Sequence, residues 1–392
     1  MMCPERGARN DEESFTQGYT PTPSPILLVQ GRVLKPLNKL YFQTERYPKG
    51  ENVKKTSIIS LYNHKGGVSK TTTTFNLGWK LADKGKKVLL VDTDPQCNLT
   101  GLCLSLQGDT EFETFYIENP KSNIYNGIEP AFSGNPEKLT AGIPADTLHP
   151  KMKLLAGHID ISTFEPELSM AQKLIEAMPI LQNLPGAFGY FVNETANINN
   201  IDIVLIDMSP SVGALNQNIL SQSDFFVIPT SPDYFCYMAI NSLKKIIPGW
   251  QRTNSFLRKH NDRLTYKLPA NDPKFIGFLS QKYRPRSGKP SKSFQSWIDR
   301  IGEAVNTELV PVLRSLDMVV QQTSTSYELA QISDFNSLIA KSQEYSVPIF
   351  NLTDEQLGYS GTVQDNIKAS AKHFDDVFSQ LADKIIGAIS NA

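Results

Sequence analysis

Between residues 57 and 91 the hydrophobic pattern changes character three times, and that stretch limits the fold more than any other. Residues 57–62 form an apolar run of strand length, 63–69 a glycine-containing turn, 70–84 a helical sequence stopped by Gly85, and 88–91 a second apolar run. Strand, loop, helix and strand in this order make a βαβ unit with parallel strands and a right-handed crossover. Further short apolar runs at 201–206, 225–228 and 275–279 are separated by stretches long enough for helices. The alternation predicts an α/β protein with a doubly wound, mostly parallel sheet.

The turn and the first helical residues read Lys65, Gly66, Gly67, Val68, Ser69, Lys70, Thr71, Thr72. A loop that follows a strand and opens a helix is the setting in which unpaired backbone N–H groups wrap a phosphate, and the glycines let the main chain approach it. In such a loop Lys70 supplies a point charge to the β- and γ-phosphate oxygens, and Thr71 a hydroxyl ligand for magnesium. The segment departs from the general GxxxxGK[ST] pattern, because His64 and Ser69 stand where glycines are usual. Downstream, Asp92 and Asp94 follow one apolar run and Asp207 ends another. Ligands of parallel sheets sit at the carboxyl ends of the strands, so these acids fall beside the loop, where magnesium must be held. The expected metal-side residues are therefore Thr71, Asp92 and Asp207.

The ends of the chain read differently. Residues 1–55 form an N-terminal extension whose first part is polar and disordered in expectation, with Pro21, Pro23 and Pro25 along it. Residues 56–392 form the domain that carries the phosphate loop, with a polar, insertion-like region around 101–200. Near the C-terminus Ile367, Ala371, Phe374, Phe378, Leu381 and Ile385 recur at helical spacing, behind a capping-box pattern at Thr362 and Asp365. This predicts an amphipathic C-terminal helix whose apolar stripe packs on the core. The four cysteines form no CxxC pair, which argues against zinc or iron-sulfur binding and points to a reducing cytoplasm. No apolar run reaches the roughly 18 residues of a membrane span. With 39 Lys and Arg against 40 Asp and Glu, any surface for a polyanion has to be a local patch.

Taken together, Lys-Gly-Gly-Val-Ser-Lys-Thr-Thr, Val-Asp-Thr-Asp-Pro-Gln at 91–96, Asp-Met-Ser-Pro-Ser at 207–211 and Ile-Pro-Thr-Ser-Pro at 228–232 resemble the deviant Walker A P-loop ATPases of the ParA and MinD group, most closely the ParA branch. The resemblance implies ATP and magnesium as ligands and a homodimer in the ATP state. It implies that Lys65 reaches across that dimer to the other subunit's phosphates and that Asp94 positions or activates the attacking water. Asp207 matches the magnesium-side acid, and Gln281 lies where the family contacts adenine. It further implies weak basal ATP turnover stimulated by a small DNA-binding adaptor of ParB type, binding to non-specific DNA, plasmid or chromosome partitioning, and a nucleoid-associated place in the cytoplasm. The family's operator-binding helix-turn-helix has no counterpart in residues 1–55.

For DNA, the window 282–292 carries Lys282, Arg284, Arg286, Lys289 and Lys292 and no acid, with Pro and Gly keeping it a loop. A second basic group, Lys244, Lys245, Arg252, Arg258 and Lys259, is expected on helical stretches either side of Pro248. A MinD-like membrane-surface switch requires a basic amphipathic end, which residues 381–392 lack. A metabolic enzyme or iron-sulfur carrier of the same superfamily would share the loop, and so would a regulatory or defence ATPase outside segregation.

Overall fold

One eight-stranded sheet organises the described residues. Its strands are β1 (Ser57–Leu61), β2 (Val88–Asp92), β3 (Ala145–Asp146), β4 (Met152–Leu155), β5 (Ile203–Asp207), β6 (Phe225–Thr230), β7 (Lys274–Tyr283) and β8 (Glu328–Ser333). The spatial order is β8-β7-β6-β1-β5-β2-β4-β3, parallel throughout except for the edge strand β3. The computed structural model describes residues 28–29, 32–33, 56–135, 137–286, 289–321 and 325–392. The chain divides into two compact units, Met1–Val53 and Lys54–Ala392. In the first, Leu28–Val29 pairs antiparallel with Arg32–Val33, and the rest of the 1–55 extension lies outside the described residues.

Every residue of β1, β2, β5 and β6 is buried, which is why these strands read as continuous apolar runs rather than as an alternation. Successive side chains still part to opposite faces. Ile58, Leu89, Val204 and Phe226 enter one apolar core, while Ile59, Leu90, Leu205 and Val227 enter the other. Helix Lys70–Asp83 covers the second face together with the C-terminal helix Gly361–Ser390. Gly78 lets the first of these lie close, because a Cβ there would come within 2.7 Å of Leu90 Cδ2.

The C-terminal stripe packs as expected: Phe374, Phe378, Leu381 and Ile385 are all buried. Its start differs, since the helix already begins at Gly361 after Ser360, with no side-chain cap. The capping box belongs instead to the short helix Asp354–Leu357, formed by Thr353 and Gln356. Region 101–200 is no appendage, because β4 pairs with β2 and Ile124, Phe164, Phe188 and Phe191 lie in the first core. Pro248 does not divide two helices either. Helix Tyr234–Arg258 runs through it, held on the core by Leu243 and Ile247. The missing proline N–H costs that helix only the bond to the Lys244 carbonyl and the ring clash beside it.

Candidate phosphate-binding site

The parallel register sets the site. Leu61 pairs with Asp207 and Asp92 with Asp207, so the loop after β1 opens beside both strand-end acids. Asn63, fully buried, anchors the loop's start: its Nδ2 donates to the Pro229 carbonyl at 2.8 Å and its Oδ1 accepts from the Lys65 N–H at 2.9 Å. Gly67 and Ser69 then take left-handed backbone, φ +72° and +60°. Serine meets there the steric cost a glycine escapes, which explains why glycine is usual at that position. Among the described residues, the N–H groups from Gly66 through Thr72 donate to no protein acceptor. A helix start always leaves such donors over, and here they converge on one loop.

Lys70 is buried, with Nζ inside the loop donating to the carbonyls of Asn63 at 3.1 Å and Lys65 at 3.3 Å. Burial lowers its pKa, while Asp207 and Asp94 oppose that shift. Thr71 Oγ1 donates to Asp207 Oδ2 at 2.6 Å. The other oxygen, Asp207 Oδ1, is buried without a partner. Burial first, and the charge of Asp92 second, push the Asp207 carboxyl up to about 8. A buried acid in that condition, with a hydroxyl beside it and an oxygen unmet, suits a hard cation that takes oxygen ligands.

Asp92 stands apart from the expected metal set. Its Oδ2 accepts from both the N–H and the hydroxyl of Thr100, at 2.9 and 2.7 Å, and its Oδ1 from the Asp94 N–H at 3.2 Å. Burial lifts it to about 6 against these bonds. Its lone pairs serve the segment after β2 and leave Asp207 as the open carboxylate. Asp94 is nearly buried and accepts from the Gln96 N–H at 3.0 Å.

Lys65 is held by a residue outside the loop: its Nζ lies 2.6 Å from Asp233 Oδ2, and the pair is partly exposed. Gln281, expected at the adenine, lies behind the loop. It is fully buried, with Oε1 accepting from Thr73 Oγ1 at 2.7 Å, so it braces the helix behind the loop. Lys282, expected in the DNA window, donates instead to the Gly67 carbonyl at 3.1 Å. Arg284 and Lys292 are exposed, while the side chains of Arg286 and Lys289 lie outside the described residues. Backbone pairing of Pro285–Arg286 with Lys289–Pro290 makes the window a hairpin rather than an open loop. In the second basic group, Lys244 is ion-paired with Glu308 and Arg258 with Asp272. Asn63, Thr100 and Asp233 went unassigned in the sequence, although Asp233 before a helical stretch carries an N-cap signal.

A doubly wound parallel sheet with a glycine loop between its first strand and helix, and strand-end acids facing that loop, defines a P-loop nucleoside triphosphatase. The AAA domain family matches residues 56–259, just over half of the chain. The chain belongs to that family, in its ParA-like group. The sporulation initiation inhibitor protein Soj of Bacillus subtilis is 31% identical over 186 residues, covering 47% of this chain and 62% of Soj. The chain thus spans less than two thirds of that relative's length. A solved protein of Corynebacterium diphtheriae superposes with TM-score 0.58 at 21% identity, over 74% of this chain and 97% of its own. A second structure, pNOB8 ParA bound to nonspecific DNA, superposes with TM-score 0.50 at 18% identity, over 86% and 99%. Among the described residues no helix is long and apolar enough to cross a membrane.

Proposed function

We propose that the chain is an ATP-dependent switch that pairs two subunits around ATP, hydrolyses it slowly, and holds DNA without sequence preference in the paired state, serving plasmid or chromosome partitioning. The observation that carries the reading is the loop itself: N–H donors from Gly66 to Thr72 left unpartnered around a buried Lys70, with the Thr71 and Asp207 pair at its rim. Those donors and Lys70 bind and orient the phosphates. Thr71, backed by Asp207, would hold magnesium, which neutralises phosphate charge when bound. Asp94, at the end of the β2 segment, orients the attacking water and accepts its proton. Lys65 is the charge that would reach a second subunit's phosphates once released from Asp233, its partner in this structure.

The names of the relatives support partition-type work, and the exposed Arg284 and Lys292 supply phosphate ligands for DNA. A small DNA-binding adaptor of ParB type fits the role of stimulating hydrolysis, and the paired state belongs on the nucleoid. The test is sedimentation and ATP turnover with and without duplex DNA. ATP-dependent pairing and ATP-dependent DNA binding are expected. Binding of DNA independent of nucleotide, or none in ATP at low salt, overturns the segregation reading.

A further inference from the structure

Parallel pairing of β7 with β8 carries two register shifts, one between Glu328 and Ala330 and a second after Ile332: there Ile332 faces Gln281 but Ser333 faces Tyr283, so Lys282 is an extra residue with no partner across the ladder. Its backbone is left-handed, φ +62°, a conformation that side-chain-bearing residues disfavour. Bulges of this kind re-aim a side chain, and a strained residue that persists points to a use for the strain. The side chain so aimed ends at the phosphate loop, with Nζ donating to the Gly67 carbonyl at 3.1 Å. One residue earlier, Gln281 holds the first helix through Thr73. The end of β7 therefore grips the loop and the helix behind it at two successive residues.

The Gly67 carbonyl shares a planar trans peptide with the Val68 N–H, and the two point in opposite directions. A cation that holds the carbonyl from outside therefore turns the N–H inward. It also polarises the peptide and strengthens that donor. The Val68 N–H has no protein acceptor among the described residues.

We propose that Lys282 is a positioning residue of the phosphate loop, which orients and polarises the Gly67–Val68 peptide for a nucleotide phosphate. The inference rests on the nucleotide-binding reading above. Its test is calorimetric titration of ADP and of a non-hydrolysable ATP analogue into wild type and the variants Lys282→Met, Lys282→Gly and Lys282→Arg, with melting of each nucleotide-free protein. Lys282→Met and Lys282→Gly should bind both nucleotides about tenfold more weakly, the size of one lost charge-assisted bond. Lys282→Arg should restore affinity. Lys282→Gly should at the same time melt no lower than wild type, since glycine adopts the left-handed backbone freely. That split separates positioning from a merely structural role. Wild-type affinity in Lys282→Met and Lys282→Gly overturns the inference and leaves the nucleotide reading intact. So does an affinity loss that follows a lowered melting temperature and is not restored by arginine. A wild-type protein that binds neither nucleotide overturns both.

Discussion

Lys65 and Asp233 form an ion pair of 2.6 Å that joins the phosphate loop to the first turn of helix Tyr234–Arg258. Asp233 is also that helix's N-cap, accepting from the Cys236 N–H at 2.9 Å. Any role of Lys65 on a second subunit's phosphates competes with this pair. Asp233→Asn keeps the cap, since asparagine caps as well as aspartate, and removes the charge. Both side chains are partly exposed, so the pair is worth no more than about 1 kcal/mol. Asp233→Asn should therefore pair at an ATP concentration lower by up to about fivefold, with a melting temperature lowered by no more than about 4 °C. An unchanged or raised ATP requirement in sedimentation would show that the pair does not restrain Lys65.

Asp94 tests the chemistry apart from binding. Its carboxylate lies at the end of the β2 segment and holds the Gln96 N–H, not the loop. Asp94→Ala should bind ATP as wild type does and still pair, while turnover falls by about 10². Turnover at the wild-type rate would remove Asp94 from the mechanism.

The strand-end acids also set a pH dependence. Burial, with the neighbouring Asp92 charge, pushes the Asp207 carboxyl up to about 8 in the folded metal-free protein, above the ordinary carboxylate value near 3.9 of an unfolded chain. Between those values the folded state holds a proton that the unfolded state has lost. This contribution is therefore full at low pH and declines as pH rises through about 8. Asp92, at about 6, declines in the same direction over a lower range. In Asp207→Asn the upper part of the slope should disappear and the part near 6 remain. Melting temperatures from pH 5 to pH 9 in chelator check this, and an unaltered slope above pH 7 would show that Asp207 is not the group responsible.

For DNA, Arg284 is an exposed cation two residues beyond the loop-bound Lys282. Arg284→Ala should weaken binding equally on unrelated duplexes. It should make log affinity against log salt shallower by about 2 for a dimer that loses one phosphate contact per subunit. Pairing in ATP should persist. Equal salt slopes in fluorescence anisotropy for variant and wild type would place the DNA surface elsewhere.

Local pattern carried the parts of this protein that depend on neighbours in the chain. Residues 57–91 spell the βαβ unit because helix period, strand length and the Gly85 stop are short-range properties. The loop from Lys65 to Thr72 is legible because its chemistry lies in its own backbone. Long-range pairing decided the rest. Asp92 and Asp207 end similar apolar runs, yet Asp92 is satisfied by Thr100 and Asp94 close by in the chain, while Asp207 meets the distant Thr71 and keeps one oxygen bare. Gln281 and Lys282 are adjacent, and a one-residue bulge sends the first behind the helix and the second to the loop. Lys244 and Arg258 look like free cations until Glu308 and Asp272, distant in sequence, meet them. A residue's type limits what it can bond, but the partner it finds is set by elements brought together only on folding, and for Thr73 with Gln281 or Gly67 with Lys282 no short window of sequence contains both.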